Sequence, residues 1–337
     1  MIIFLIYGIM KKTEEEKNMT EIQRLKMLEP TDGKFVHMVL DTDTKNEVDD
    51  QFALTYAYRL SCLGKLSLDA VYAAPFTHHP TPSAGEGMEE SYEEIIKILG
   101  LLGRKDTEGF VFRGSDRFSA GTPVESPAAS DLIERAKKFT PDDPLYVVAI
   151  GAITNVASAI AFCPEIIENI VVVWLGGTET HQPRADEYNL SQDAEASRFI
   201  LDCGVPLVQL PCRGVVDKFT TTVSELERFI DGKTEIGSYL TSLVRECDSG
   251  RASSRVIWDV TAVGWLAVPD FYDSTLMHTP HLAEIPAVSG GYAVCGCERG
   301  HRELFWAHDD SRHFMRAVTH IDRDALYNDL FRKINKE

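Results

Sequence analysis

The sequence predicts an α/β fold built on an open, mostly parallel sheet with helices on both faces. Two observations carry this. Short, almost continuous apolar β-rich runs recur along the chain, and each is followed by a turn and then by a helical pattern. Strands that are apolar on both sides must be buried on both faces, which is the condition of a parallel sheet between helix layers. In such sheets ligands bind at the carboxyl ends of strands, where helices begin. The informative residues are therefore the polar ones at strand–helix junctions.

Residues 1–33 are expected to be a poorly ordered N-terminal extension, and 34–337 a single domain. Met1–Met10 (MIIFLIYGIM) is apolar, but ten residues are too few to span a bilayer as a helix. Lys11 and Lys12 follow the apolar run rather than precede it, unlike a secretory signal. The first strand is expected at Phe35–Leu40, before a helix with the apolar stripe Phe52, Ala53, Tyr56, Ala57 and Leu60. Further strands are expected at Leu68–Ala74 and Tyr146–Ile150. After the latter, Thr154 is placed to cap an alanine-rich helix that stops at Pro164. Ile170–Leu175 runs into Gly176-Gly177. A helix from about Asp193 to Cys203 ends on Gly204, a good residue just past a helix, and Val205–Leu210 follows.

Composition narrows the function. The 337 residues are 44% hydrophobic, enough for a large core, with no low-complexity linker or internal repeat. There are 52 acidic and 34 basic residues, a net charge of −18. Such a field repels phosphate backbones and anionic lipid, which argues against nucleic-acid and membrane partners. The seven cysteines, Cys62, Cys163, Cys203, Cys212, Cys247, Cys295 and Cys297, form no C-x-x-C pair. They read as reduced, mostly buried thiols of a cytoplasmic protein, the Cys295/Cys297 pair included.

The first junction is the most acidic. Asp41-Thr-Asp43-Thr-Lys-Asn-Glu-Val-Asp49-Asp50 places four aspartates and Glu47 within ten residues. Close carboxylates repel unless a cation compensates, and their oxygens suit a hard divalent ion such as Ca²⁺. Helix capping accounts for one or two of these acids, hardly for four. The run is neither an EF-hand, lacking its sixth-position Gly, nor a phosphate-cradling loop, lacking the glycines and Lys-Ser/Thr. Asp259 opens a second apolar helix, where a cap and a ligand are both open readings. Thr154 can cap while its carbonyl faces the crevice. Glu187-Tyr188-Asn189 is a third polar junction, either loop decoration or a binding segment.

Taken together, these segments resemble the inosine–uridine-type nucleoside hydrolase family. The D-x-D…D-D segment is Asp41-Thr-Asp43…Asp49-Asp50, and Ile150-Gly-Ala-Ile-Thr154-Asn155 stands for the family's I-G-P-L-T-N. Leu175-Gly176-Gly177 stands for M-G-G, Glu187-Tyr188-Asn189 for E-F-N, and Gln192-Asp193-Ala-Glu-Ala-Ser197 for A-D-P-E-A-A, in order over residues 35 to about 270. The resemblance implies a Rossmann-like nucleoside hydrolase fold, a homo-oligomer (dimer or tetramer) and hydrolysis of ribonucleosides to free base and ribose. It implies Ca²⁺ held by Asp43, Asp50, the Thr154 carbonyl and Asp259. It also implies sugar hydroxyls bound by Asp49, Glu187 and Asn189, and Asp43 as general base.

Three departures from the pattern matter. The acidic loop is two residues longer than usual between Asp43 and the Asp pair. Ala74-Pro75-Phe76 stands where many relatives carry an Asn. Trp258 replaces the histidine often credited with protonating the leaving base, and is expected to stack on it, which favours purines; His78, His79 and His308 read more readily as surface or structural residues. Two other functions are compatible with the sequence. One is a haloacid-dehalogenase-type phosphatase using Asp41 and Asp43, which Lys45 and the following acids disfavour. The other is a non-catalytic Ca²⁺-dependent nucleoside- or ribose-binding protein.

Overall fold

The computed structural model describes residues 19–78, 81–182, 184–247, 253–286 and 302–336. The first described element is a helix, α1 (Glu21–Met27). Thr20 and Gln23 close a reciprocal capping box at its start. Met27 and Leu28 are buried in the core, and Arg24 donates to the carbonyl of Gly204. The extension expected over 1–33 is thus shorter: residues 19–33 belong to the packed structure because this capped turn carries apolar anchors. Residues 1–18 lie outside the described residues.

The alternation read from the sequence follows. In chain order come β1 (His37–Thr42), α2 (Asp49–Cys62), β2 (Ser67–Ala73), α3 (Ala84–Leu101), β3 (Val111–Arg113), α4 (Pro127–Ala136), β4 (Leu145–Ala149), α5 (Thr154–Phe162) and β5 (Ile170–Leu175). Next are α6 (Tyr188–Gln192), α7 (Ala194–Asp202), β6 (Leu207–Leu210), β7 (Thr220–Thr221), α8 (Val223–Phe229), α9 (Glu235–Cys247), β8 (Arg255–Val256) and α10 (Val260–Ala267). The chain closes with β9 (Tyr272–His278), β10 (His281–Pro286), β11 (Arg302–Ala307), β12 (Phe314–Ile321) and α11 (Arg323–Ile334).

The main sheet has eight strands in the order β3-β2-β1-β4-β5-β6-β12-β9. All neighbours pair in parallel except β9, which runs antiparallel to β12. Every residue of β4 and β5 is buried, as their unbroken apolar sequences require. One face is covered by α2, α3 and α8–α11, through Phe52, Ile95, Ile98, Leu240, Val263 and Leu330; the other by α4, α5 and α7, through Leu132, Val156, Ile160 and Ile200. Gly204, just past α7, has φ +83°, the left-handed turn that favours glycine.

Strand order reverses between β1 and β4. The chain builds outward from β1 to β3 on one side, then returns to add β4, β5 and β6 on the other. The crevice at such a switch point is where open α/β sheets bind ligands. Among the described residues, no helix is long and apolar enough to cross a membrane.

Candidate active site

The acidic loop leaves β1 directly at the switch point. Val48 occupies the cap position of α2 and makes no side-chain capping bond, so Asp49 and Asp50 are the first helical residues, their side chains free for another purpose. Asp259 likewise precedes α10 without capping it. Capping therefore accounts for none of these three acids. They converge instead: carboxylate oxygens of Asp49, Asp50 and Asp259 lie within 4.8 Å of one another. Asp50 also lies close enough to Asp43 for the two carboxyls to repel, and takes a 2.5 Å bond from the Thr42 hydroxyl.

All four acids are at most 2% exposed. Burial, then mutual repulsion, pushes the Asp43, Asp49 and Asp259 carboxyls well above the usual range. Burial pushes Asp50 up to about 6, with the Thr42 bond opposing. Both oxygens of Asp49 are buried without a hydrogen-bond partner. Orphaned, oxygen-only, negatively charged donors are what a hard divalent cation would satisfy, so the donor set fits one. The trio differs from the expected ligand set in one respect: Asp49, expected on the sugar, lies with Asp50 and Asp259, and Asp43 joins through Asp50.

Asp41, by contrast, is fully buried on β1, its Oδ1 accepting from Asn155 at 2.8 Å. Burial pushes its carboxyl up to about 7, the Asn155 bond opposing. A phosphatase nucleophile must face the crevice; Asp41 lies within β1 with Oδ1 engaged by Asn155 at the start of α5, which disfavours that alternative.

Residues after β4 wall the crevice. A Cβ at Gly151 would stand 2.9 Å from Asp43 Oδ1 and 3.1 Å from Ala74 Cβ. Only glycine lets the two chain segments approach this closely. Thr154 does not cap α5 as expected: Ile153 holds the cap position, and the Thr154 hydroxyl donates to Asp193 at 2.7 Å. Thr154 is itself the first helical residue, past the position from which a side chain caps. Asp193 also accepts from Ser119 and caps α7, tying β4 to the segment after β5.

After β5, Glu187 caps α6. Its oxygens accept from the N–H groups of Gly177 (2.9 Å), Asn189 (3.0 Å) and Leu190 (3.1 Å). A carboxylate offers about four acceptor sites. Three of these are filled by backbone N–H groups, so Glu187 shapes the turn that presents Asn189 and keeps about one acceptor site open. Asn189 Nδ2 donates to the carbonyls of Ile150 (3.0 Å) and Leu175 (3.1 Å), at the ends of β4 and β5. Asn189→Ala strands both buried carbonyls; thermal unfolding is expected to show a loss of about 1–3 kcal/mol.

Trp258 is half-buried beside Asp259 and packs against the core. His308 is exposed and pairs with the carbonyl of Thr180 at 3.1 Å. His78 packs edge-on against Phe76, and His79, Cys295 and Cys297 lie outside the described residues. Sequence reasoning missed the links from Asn46 and Tyr188 to Asp43. Tyr188 was visible within Glu187-Tyr188-Asn189, but nothing in the sequence tells which loop its hydroxyl reaches.

Comparison with known proteins agrees with this arrangement. The family model described as inosine-uridine preferring nucleoside hydrolase matches residues 38–328. "Probable uridine nucleosidase 2" of Arabidopsis thaliana is 24% identical over 229 residues, covering 61% of this chain and 68% of that protein. A non-specific ribonucleoside hydrolase of Klebsiella pneumoniae is 25% identical over 231 residues, covering 67% and 73%. The structure of a purine-preferring ribonucleoside hydrolase from Gardnerella vaginalis shares the fold with a TM-score of 0.65 at 20% identity, over 89% of this chain and 98% of that one. A match spanning β1 to α11, with the motifs in order around the acidic crevice, places the chain in the inosine–uridine preferring nucleoside hydrolase family, a family of N-glycosyl hydrolases.

Proposed function

We propose that this protein hydrolyses the N-glycosidic bond of ribonucleosides, releasing free base and ribose, with Ca²⁺ as its metal and purines preferred. The observation that carries this reading is the set of four buried carboxylates at the switch point, with both Asp49 oxygens unpartnered. Asp43, Asp50 and Asp259 would hold the ion, with the Thr154 carbonyl. The chemistry such an ion supplies when bound is a lowered pKa for water.

The protein's own groups account for the rest. Asp43 accepts the proton of the attacking water as its oxygen bonds to C1′. The C1′–N bond breaks toward the base, and positive charge grows on the sugar, which the surrounding carboxylates stabilise. Asp49 and the remaining amide oxygen of Asn189 would accept from sugar hydroxyls and hold C1′ in line. A half-buried indole beside Asp259 offers a face to the departing base, which becomes more cationic as it is protonated.

Incubation with a panel of nucleosides, following free base and reducing sugar, tests the reaction. Release of ribose supports it; binding without product would leave a nucleoside-binding protein. The base preference rests on Trp258. Trp258→Ala is expected to lower inosine and guanosine turnover by roughly the worth of a cation–π contact, about 0.5–2 kcal/mol or up to about 30-fold. p-Nitrophenyl riboside, whose leaving group needs no proton, should change far less. Equal losses on both substrates, or losses that follow unfolding, leave Trp258 only a packing role.

A further inference from the structure

The two additional residues of the acidic loop are not slack. Lys45 reaches Glu94 of α3 at 3.9 Å, and Glu47 pairs with Arg255 of β8 at 3.0 Å, so the loop is pinned on two sides. Between these anchors, Asn46 Nδ2 donates to Asp43 Oδ2 at 3.0 Å. On its other side, Asn46 Oδ1 accepts from the Tyr188 hydroxyl, also at 3.0 Å. The hydroxyl's single proton is shared between that amide oxygen and the Thr77 carbonyl, 2.9 Å away.

The amide has only one orientation that serves all these groups. A carboxylate at Asp43 can only accept, so the amide N–H must face it; the amide oxygen then faces Tyr188, which donates. Turning the amide over would set oxygen against carboxylate. Asp43 therefore sets which way Asn46 points, Tyr188 holds the amide in that orientation from its other side, and Asn46 fixes one oxygen of Asp43. The other oxygen lies against the bare α-carbon of Gly151, where a Cβ would approach to 2.9 Å. Asp43 is held from both sides.

We propose that Asn46 and Tyr188 form a positioning relay that orients Asp43 for proton transfer, linking the acidic loop to the segment that carries Asn189. The relay rests on the reading of Asp43 as the base. Neither residue needs to touch substrate. Tyr188 lies next to Glu187 and Asn189, so the hydroxyl couples the geometry of the sugar side to that of the base.

The test is steady-state kinetics on inosine with the full-length, Ca²⁺-loaded protein carrying Tyr188→Phe, Asn46→Ala or both. Each single change is expected to lower kcat about 10- to 100-fold, as a misplaced reacting group does, with KM within about threefold of wild type. Because the two act through one hydrogen-bond chain, the double variant should be no slower than Asn46→Ala alone. Asn46→Asp, which sets a second carboxylate against Asp43, should be slower still. Tyr188→Phe removes one hydroxyl and is expected to keep the wild-type melting temperature. Losses in the double variant that multiply, losses that fall on KM, or wild-type kcat in Tyr188→Phe and Asn46→Ala would each overturn the relay. If instead wild type releases no ribose, or Asp43→Asn is as fast as wild type, the functional reading fails rather than the relay.

Discussion

Asp43→Asn is expected to reduce kcat on every ribonucleoside by about 10³-fold or more, while the metal-free protein melts no lower than wild type. The first half follows from role: removing a general base alone costs about 10²–10⁴-fold, and this residue is proposed to hold the metal as well. The second half follows from electrostatics. The Asp43 carboxyl is buried and repelled by Asp50 and Asp49, so its charge strains the metal-free fold. The amide keeps the side chain's shape and an oxygen to accept from Asn46, and it deletes the repulsion. A variant that is inactive yet equally or more heat-stable in chelator identifies chemistry rather than structure as the lost element. Kinetics and thermal unfolding on the same preparation decide this, and a kcat within tenfold of wild type removes Asp43 from the mechanism.

The parts of this site that the sequence made legible are those set by local pattern. Strands β1, β2, β4, β5 and β6 fall within two residues of the apolar runs that predict them, because burial on both faces writes itself into consecutive residues. The acidic run stood out since four aspartates in ten residues have few uses. Strands β9 and β12 were not anticipated. β9 is an edge strand with Thr275 and Leu276 exposed, and its sequence Tyr-Asp-Ser-Thr-Leu-Met-His shows no clean apolar run. Nor could local pattern show that Glu187 also holds the N–H of Gly177. Gly177 lies just past β5, ten residues back, and only the fold of the intervening loop brings the two together. Thr154 illustrates the same limit: it is itself the first helical residue, and its hydroxyl donates to a buried Asp193 thirty-nine residues away.

Chelation is expected to abolish hydrolysis and lower the melting temperature together, and both effects should depend on pH. Ligands from the loop after β1 and from the start of α10 are brought together only by the fold, so an ion bound there stabilises the native state alone. At about 100 times its Kd the gain is about 2.7 kcal/mol, worth roughly 4 °C in a protein of this size. The carboxyls set the pH dependence. Asp50 is raised from 3.8 to about 6 and Asp41 from 3.8 to about 7, so between about pH 4 and 7 the native state binds more protons than the unfolded chain. Stability of the metal-free protein therefore falls as pH rises through that window, since the buried groups must ionise. A cation reverses this for the clustered acids, because it binds the ionised carboxylates and its affinity grows as they lose protons. The rise in melting temperature on adding Ca²⁺ should thus be larger at about pH 7.5 than at about pH 5, and smaller in Asp259→Asn at either. Differential scanning calorimetry with Ca²⁺, with chelator and with Mg²⁺ reads it directly. A shift independent of pH, or full activity in metal-free protein, would place any bound ion elsewhere than among Asp43, Asp49, Asp50 and Asp259.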